Sequence, residues 1–220
     1  MTVVVFDMDD TLFPEHAYAR SGLAHVGAFL ETEHGVQDAA ARLLAVLETG
    51  VRGRIFNVIL EEEGMGTELI PELVRRYRHH SPRISLYPEA PGVLDQLKGN
   101  SPLALITDGP KVCQRAKIAA LALERWFDPI LVTDEAGREH WKPHPWAYQT
   151  VEAHFGVAGH ACVYIGDNPT KDFVTARARG WNTVRVDRGD RLNPCEVPDE
   201  AHEAAHVVAD LSYLPALLSG

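Results

Sequence analysis

The sequence predicts an α/β fold: a parallel sheet core with helices on both faces, interrupted early by an inserted α-helical domain. Three features carry that expectation. Val3-Val4-Val5-Phe6 is an unbroken apolar run, the pattern of a strand buried on both faces of a parallel sheet. From Glu89 onward, similar short runs alternate with helical stretches at the spacing of right-handed crossovers. Between these regions, residues 14–88 show helical periodicity and no strand. Residues 1–13 and 89–220 are therefore expected to form the core, and residues 14–88 a helical cap.

The elements follow in order. Pro14 breaks the chain after the first strand, because proline can begin a helix but not continue one. Leu23, Val26, Phe29 and Leu30 then share one helical face, and Leu43, Leu44 and Leu47 a second. Further stripes run through Ile55, Val58 and Ile59, and through Leu69, Leu73 and Tyr77. Glycines at 35, 50, 53, 64 and 66 punctuate them. In the core, residues 91–97 read as a short helix, and Leu103-Ala104-Leu105-Ile106 as a strand running into Thr107-Asp108-Gly109. Helices are expected over 111–122, 143–155 and 171–179, the last stopped by Gly180. Between them fall strands at Pro129-Ile130-Leu131-Val132, at Cys162-Val163-Tyr164-Ile165 and at Thr183-Val184-Arg185-Val186. Val207-Val208 suits a last edge strand, followed by a closing helix over 214–218.

The chain of 220 residues can bury a full core, and its hydrophobic content of 45% with 24% charged residues is that of a soluble globular protein. A net charge of -10 argues against nucleic-acid partners and anionic membranes, both of which demand a Lys/Arg excess. Cys113, Cys162 and Cys195 are sparse, odd in number and form no CxxC pair, which suits a reducing compartment. The opening residues lack a signal-peptide pattern, and no apolar run is long enough to span a bilayer. A cytoplasmic location is expected, as a monomer or homodimer.

The strand ends carry the chemistry. Ligands of open α/β sheets bind beyond the carboxyl ends of the strands, where Asp7, Asp9 and Thr11 follow the first one. Asp7 and Asp167 both end apolar strands, and carboxylates brought together require a cation. Mg²⁺ fits, as a hard ion that takes one or two carboxylates and shares substrate phosphate oxygens. Asp172 suits either a metal-bound water or plain capping of the next helix. Thr107, Asp108 and Gly109 offer a hydroxyl and backbone N–H groups to an anion, although many α/β turns look the same. Lys142, before Pro143, is either a solvated lysine or a grip on phosphate, with Lys111 and Lys117 as alternative cations. Together these groups suit phosphoryl transfer: a carboxylate nucleophile, a second carboxylate as acid and base, and cations for the phosphoryl oxygens.

With these motifs in place, the sequence resembles the haloacid dehalogenase superfamily of phosphohydrolases. The first motif, DxDx(T/V), corresponds to Asp7-Met8-Asp9-Asp10-Thr11, and the second to the strand ending at Thr107. Lys142-Pro143 matches the third, and Gly166 to Asp172 the fourth, GDxxxxD. The resemblance implies a Rossmann-like core and a helical cap that selects the substrate. It also implies Asp7 as nucleophile, Asp9 as acid/base, and Thr107 and Lys142 as phosphoryl ligands. Asp7, the backbone carbonyl of Asp9 and Asp167 would hold Mg²⁺, with Asp172 assisting. The substrate would be a small phosphorylated metabolite, cleaved through an aspartyl phosphate. A phosphomutase, a 2-haloacid dehalogenase and a non-catalytic binding module remain alternatives on the same fold. Asp9 and Asp167 favour the phosphatase, since halide leaves unprotonated and needs no metal.

Other signals are weaker. His202-Glu203-Ala204-Ala205-His206 satisfies HExxH, yet Val207-Val208 suggests the helix has already ended, so a short solvated helix is expected rather than a zinc site. Arg52 and Arg54, flanking Gly53, are candidates for the substrate's anionic or polar tail, as are Glu15 and His16. The stretch from Gly137 to Trp141 before Lys142 is bulky and polar and receives no role.

Overall fold

A first strand, β1 (Val3–Phe6), lies inside a six-stranded parallel sheet in the computed structural model, which describes residues 2–189, 192 and 196–218. Four helices follow it: α1 (Glu15–His34), α2 (Ala39–Glu48), α3 (Ile55–Glu62) and α4 (Ile70–His79). Then come α5 (Ala90–Lys98), β2 (Leu103–Thr107), α6 (Lys111–Ala120), β3 (Ile130–Val132) and α7 (Trp146–Phe155). The chain ends through β4 (Cys162–Gly166), α8 (Val174–Ala178), β5 (Asn182–Val186), β6 (His206–Val208) and α9 (Leu214–Leu218). Two compact units result, one of residues 1–15 and 85–220, the other of residues 16–84.

The first unit carries the sheet, in the order β3-β2-β1-β4-β5-β6. The chain leaves β1 for β2 on one side and reaches β4 on the other, so the crevice at the carboxyl end of β1 is a topological switch point. Side chains alternate across the pleat. Val3, Val5, Ala104, Ile106, Cys162 and Tyr164 pack with Tyr148, Val151, Phe173 and Trp181 in one buried cluster. Each such large side chain stabilises the fold by roughly 1.5–3 kcal/mol. Phe6 meets Phe127 edge to face at 5.7 Å.

In the second unit the apolar stripes become the interior. Leu23, Val26, Leu30, Leu43, Leu47, Ile59, Leu60 and Leu73 are buried. Arg42 clamps the end of α3 and the residue after it, donating to Glu62 and Glu63 at 2.6 Å each.

Two helices differ from expectation. Helix α7 starts at Trp146 rather than 143: residues 141–144 form a turn instead, His144 N donating to Trp141 O at 2.9 Å, and Pro145 disfavours a helical conformation at the residue before it. Helix α8 is confined to five residues rather than spanning 171–179, because residues 167–173 form a loop of their own. As expected of the HExxH stretch, a short helical turn ends before the last strand: His202 closes a 3₁₀ turn while His206 opens β6, so the two histidines are not an i,i+4 pair on a helix. Cys113 and Cys162 are buried free thiols, and Cys195 lies outside the described residues. Among the described residues no helix is long and apolar enough to cross a membrane.

Candidate active site

Strand register assembles the site. Phe6 pairs with Ile165, and the Asp7 N–H donates to Ile165 O at 2.8 Å, so Asp7 leaves β1 beside the Gly166-Asp167 end of β4. Oxygens of Asp7, Asp167 and Asp172 all lie within 4.8 Å of one another, and all three residues are buried. Asp172 reaches this point because the fourth-motif loop folds back. Its Oδ2 accepts from Asn168 N at 2.9 Å, and its own N–H donates to Asn168 O at 3.0 Å. Gly166 leaves the necessary room, since a Cβ there would stand 2.5 Å from Asp172 Oδ2.

Lys142 is the cation of this centre. Its Nζ is fully buried and donates to Asp7 Oδ1 at 2.6 Å, Asp172 Oδ1 at 2.8 Å and the Tyr164 hydroxyl at 2.9 Å. Burial opposes its charge, but Asp172 and Asp7 outweigh burial and hold its pKa well above the ordinary lysine value. Asp172 is therefore the ion-pair partner of Lys142 rather than a cap; Phe173 occupies the capping position of α8.

Even so, Lys142 does not neutralise the three buried carboxylates, and Lys171, the ammonium that lines the cavity beside Asp7 and Asp167, pairs with a fourth, Asp108. Burial pushes the Asp7 carboxyl up to about 6, against the pull of Lys142 and with the push of Asp172. Residual negative charge on hard oxygen donors is what a divalent cation satisfies, so these residues fit such an ion.

Thr107 ends β2, and Thr133, just beyond β3, braces the turn by donating to Thr107 O at 3.3 Å and to Asp108 Oδ1 at 2.7 Å. Asp108 also accepts from Lys142 N at 3.1 Å and pairs with Lys171 at 3.4 Å. Burial works against its charge, but Lys142, Lys171 and the Thr133 bond prevail, holding its carboxyl below the usual range. Gly109 follows at φ +132°, a conformation that disfavours side chains.

Asp9 is held by two side chains of α6. Its Oδ1 accepts from Lys117 Nζ at 2.7 Å and its Oδ2 from Gln114 Nε2 at 2.9 Å. Lys117, an alternative phosphate cation by sequence, is thus committed to Asp9. Asp10 adopts a left-handed φ of 52° and accepts from Glu15 N at 2.7 Å at the start of α1. A polar cavity of about 170 Å³ opens among Asp7, Asp9, Asp10, Glu15, Asp108, Asp167, Asn168 and Lys171. Burial, with Asp9 nearby, pushes the Glu15 carboxyl up to about 7.

The cap arginines stand in the other unit. Arg52 donates to Leu47 O at 2.9 Å and Val51 O at 3.0 Å, and the exposed Arg54 pairs with Glu61 at 3.3 Å. His16 pairs with Glu48 at 3.0 Å. In the Gly137–Trp141 stretch, Arg138 to His140 form a 3₁₀ turn and Trp141 Nε1 donates to Asp134 Oδ1 at 3.2 Å. The loop is thereby tied to the end of β3 ahead of Lys142.

Sequence reasoning missed Gln114, Lys171 and Tyr164. Gln114 was legible in one respect: with Cys113, Lys117 and Ile118 it forms the buried face of α6.

Comparison with known proteins places this arrangement. A family model described as haloacid dehalogenase-like hydrolase matches residues 1–180. A glyceraldehyde 3-phosphate phosphatase from Methanopyrus kandleri is 30% identical over 214 residues, covering 89% of this chain and 90% of its own. A phosphoserine phosphatase from Thermus thermophilus is 37% identical over 141 residues, but the match covers 64% of this chain and only 56% of that protein. Among solved structures, a haloacid dehalogenase-type phosphatase from Thermococcus onnurineus superposes with a TM-score of 0.65 at 25% identity, covering 100% of this chain and 99% of its own.

Proposed function

Since the chain belongs to the haloacid dehalogenase-like hydrolases, we propose that it is a Mg²⁺-dependent phosphomonoesterase that cleaves a small phosphorylated metabolite through an aspartyl phosphate on Asp7. The observation that carries this reading is the placement of Asp7: at the sheet's switch point, 2.6 Å from Lys142 Nζ and clustered with Asp167 and Asp172.

Each residue has a physical task. Asp7 attacks phosphorus, and Lys142 and Asp108 hold the site's geometry through the contacts described. The Lys142 ammonium, the Thr107 hydroxyl and the backbone N–H groups around Asp108 and Gly109 offset charge on the phosphoryl oxygens. Asp9 donates a proton to the departing oxygen and later takes one from the water that attacks phosphorus. Asp7, Asp167 and the backbone carbonyl of Asp9 would hold Mg²⁺, with Asp172 behind them; bound there, it supplies charge stabilisation to the phosphoryl group. The unit of residues 16–84, inserted directly after the first motif, is assigned the choice of substrate, with Arg52 and Arg54 as candidate contacts.

A phosphate-release screen over metabolite monoesters, with Mg²⁺ and with EDTA, tests the reading. Release that requires the metal and peaks on one ester class is expected. Absence of release on every ester would reject it and turn attention to haloacids.

A further inference from the structure

We propose that Gln114 and Lys117, three residues apart on the buried face of α6, are positioning residues that fix the Asp9 carboxylate and aim the Thr107 hydroxyl. The inference deepens the reading above and rests on Asp9 as the acid/base.

Both Asp9 oxygens have a fixed donor: Lys117 Nζ at 2.7 Å on Oδ1 and Gln114 Nε2 at 2.9 Å on Oδ2. Two anchors from a single helix define the plane of the carboxylate. An ionised carboxylate has about four lone-pair sites, so two such bonds still leave room for the reacting oxygen. A carboxylate also only accepts, which settles the orientation of the Gln114 amide: its NH₂ faces Asp9.

The second amide hydrogen goes to Thr107 Oγ1, at 2.5 Å. The Thr107 oxygen therefore acts as acceptor toward α6. Its own hydroxyl hydrogen is left for another acceptor, and on the reading above that acceptor is a phosphoryl oxygen. One glutamine thus sets the geometry of the proton donor and of a phosphoryl ligand together.

The surroundings are built for this pair. Gln114 and Lys117 are 1% and 4% exposed, and an ammonium so deeply buried is tolerated only beside a carboxylate. Gly109 makes the space: a Cβ there would stand 3.1 Å from Gln114 Cδ and Oε1. The glycine after the second motif accordingly has a packing reason besides its positive φ.

The test separates positioning from mere folding through the leaving group. A displaced acid slows departure of an alkoxide, which needs a proton, far more than departure of 2,4-dinitrophenolate, which does not. Asp9→Asn, Lys117→Met and Gln114→Leu would be compared on the best alkyl phosphate of the release screen and on 2,4-dinitrophenyl phosphate with Mg²⁺, reading kcat/KM, which covers steps through phosphoryl transfer. Asp9→Asn and Lys117→Met should lose on the order of 100-fold on the alkyl ester, the lower end of an acid/base contribution, and only a few-fold on the aryl ester, whereas Gln114→Leu should show the same preference for the aryl ester on top of a loss common to both esters from the released Thr107 hydroxyl. Should Lys117→Met not fold, as judged by thermal unfolding, Gln114→Leu decides alone. If Asp9→Asn discriminates between the esters but the α6 variants lose both equally, or lose neither, the positioning inference is wrong. If Asp9→Asn itself fails to discriminate, the acid/base reading falls first, and this inference with it.

Discussion

Asp7→Asn probes the electrostatics of the centre before any substrate is added. Burial pushes the Asp7 carboxyl up to about 6 from an ordinary 3.8, although Lys142 lies 2.6 Å away. A carboxyl raised in this way is held protonated by the folded state. Its contribution to stability is present below pH 3.8 and is lost as the pH rises through about 6. The gap between the two values corresponds to about 3 kcal/mol. Asparagine keeps the volume and does not titrate. In EDTA, urea denaturation across pH 4 to 8 should therefore show wild type losing about 3 kcal/mol relative to Asp7→Asn, on the order of 6–12 °C in Tm for a chain of this size. A relative stability that stays flat with pH, or rises, would refute the claim that Lys142 and Lys171 leave the centre under-neutralised.

Further outcomes follow from the same geometry. Lys142→Met removes the ammonium shared by Asp7, Asp172 and the Tyr164 hydroxyl, and should cost about 3–5 kcal/mol in metal-free denaturation, because a buried charge loses its partner. Gly166→Ala places a Cβ 2.5 Å from Asp172 Oδ2; phosphate release should drop at least tenfold while the far-UV circular dichroism stays native, and full activity would show that the loop has slack. Adding Mg²⁺ at pH 8 should raise the Tm of wild type, by the equivalent of about 2.7 kcal/mol at 100 times its Kd, and raise that of Asp167→Asn much less.

The sheet was legible because each buried parallel strand is a continuous apolar run. β1 and the core of β4 stand where Val3-Val4-Val5-Phe6 and Cys162-Val163-Tyr164-Ile165 place them. Polar residues directly after those runs had to sit at the strand ends, so Asp7, Thr107 and Asp167 were readable as one crevice. What sequence periodicity could not supply was side-chain pairing across 30 or more residues. Asp172 suited either a metal-bound water or a helix cap, and nothing local reveals that Lys142, thirty residues earlier, is its ion-pair partner. Lys117 looked like a spare cation because nothing local reveals that Asp9, 108 residues away in the chain, is its partner. HExxH could be set aside from sequence because its spacing matters only on a helix and Val207-Val208 reads as a strand; pairing of His206 with Val184 puts that histidine in the strand as well.

The most direct test is to trap the covalent intermediate. The protein would be mixed with the best substrate of the release screen and Mg²⁺, quenched in acid during turnover and reduced with borohydride, which converts an aspartyl phosphate to homoserine. Peptide mapping should find that conversion at Asp7, only with substrate present, and not in Asp7→Asn. Conversion at another aspartate, or none while phosphate is being released, would contradict the account.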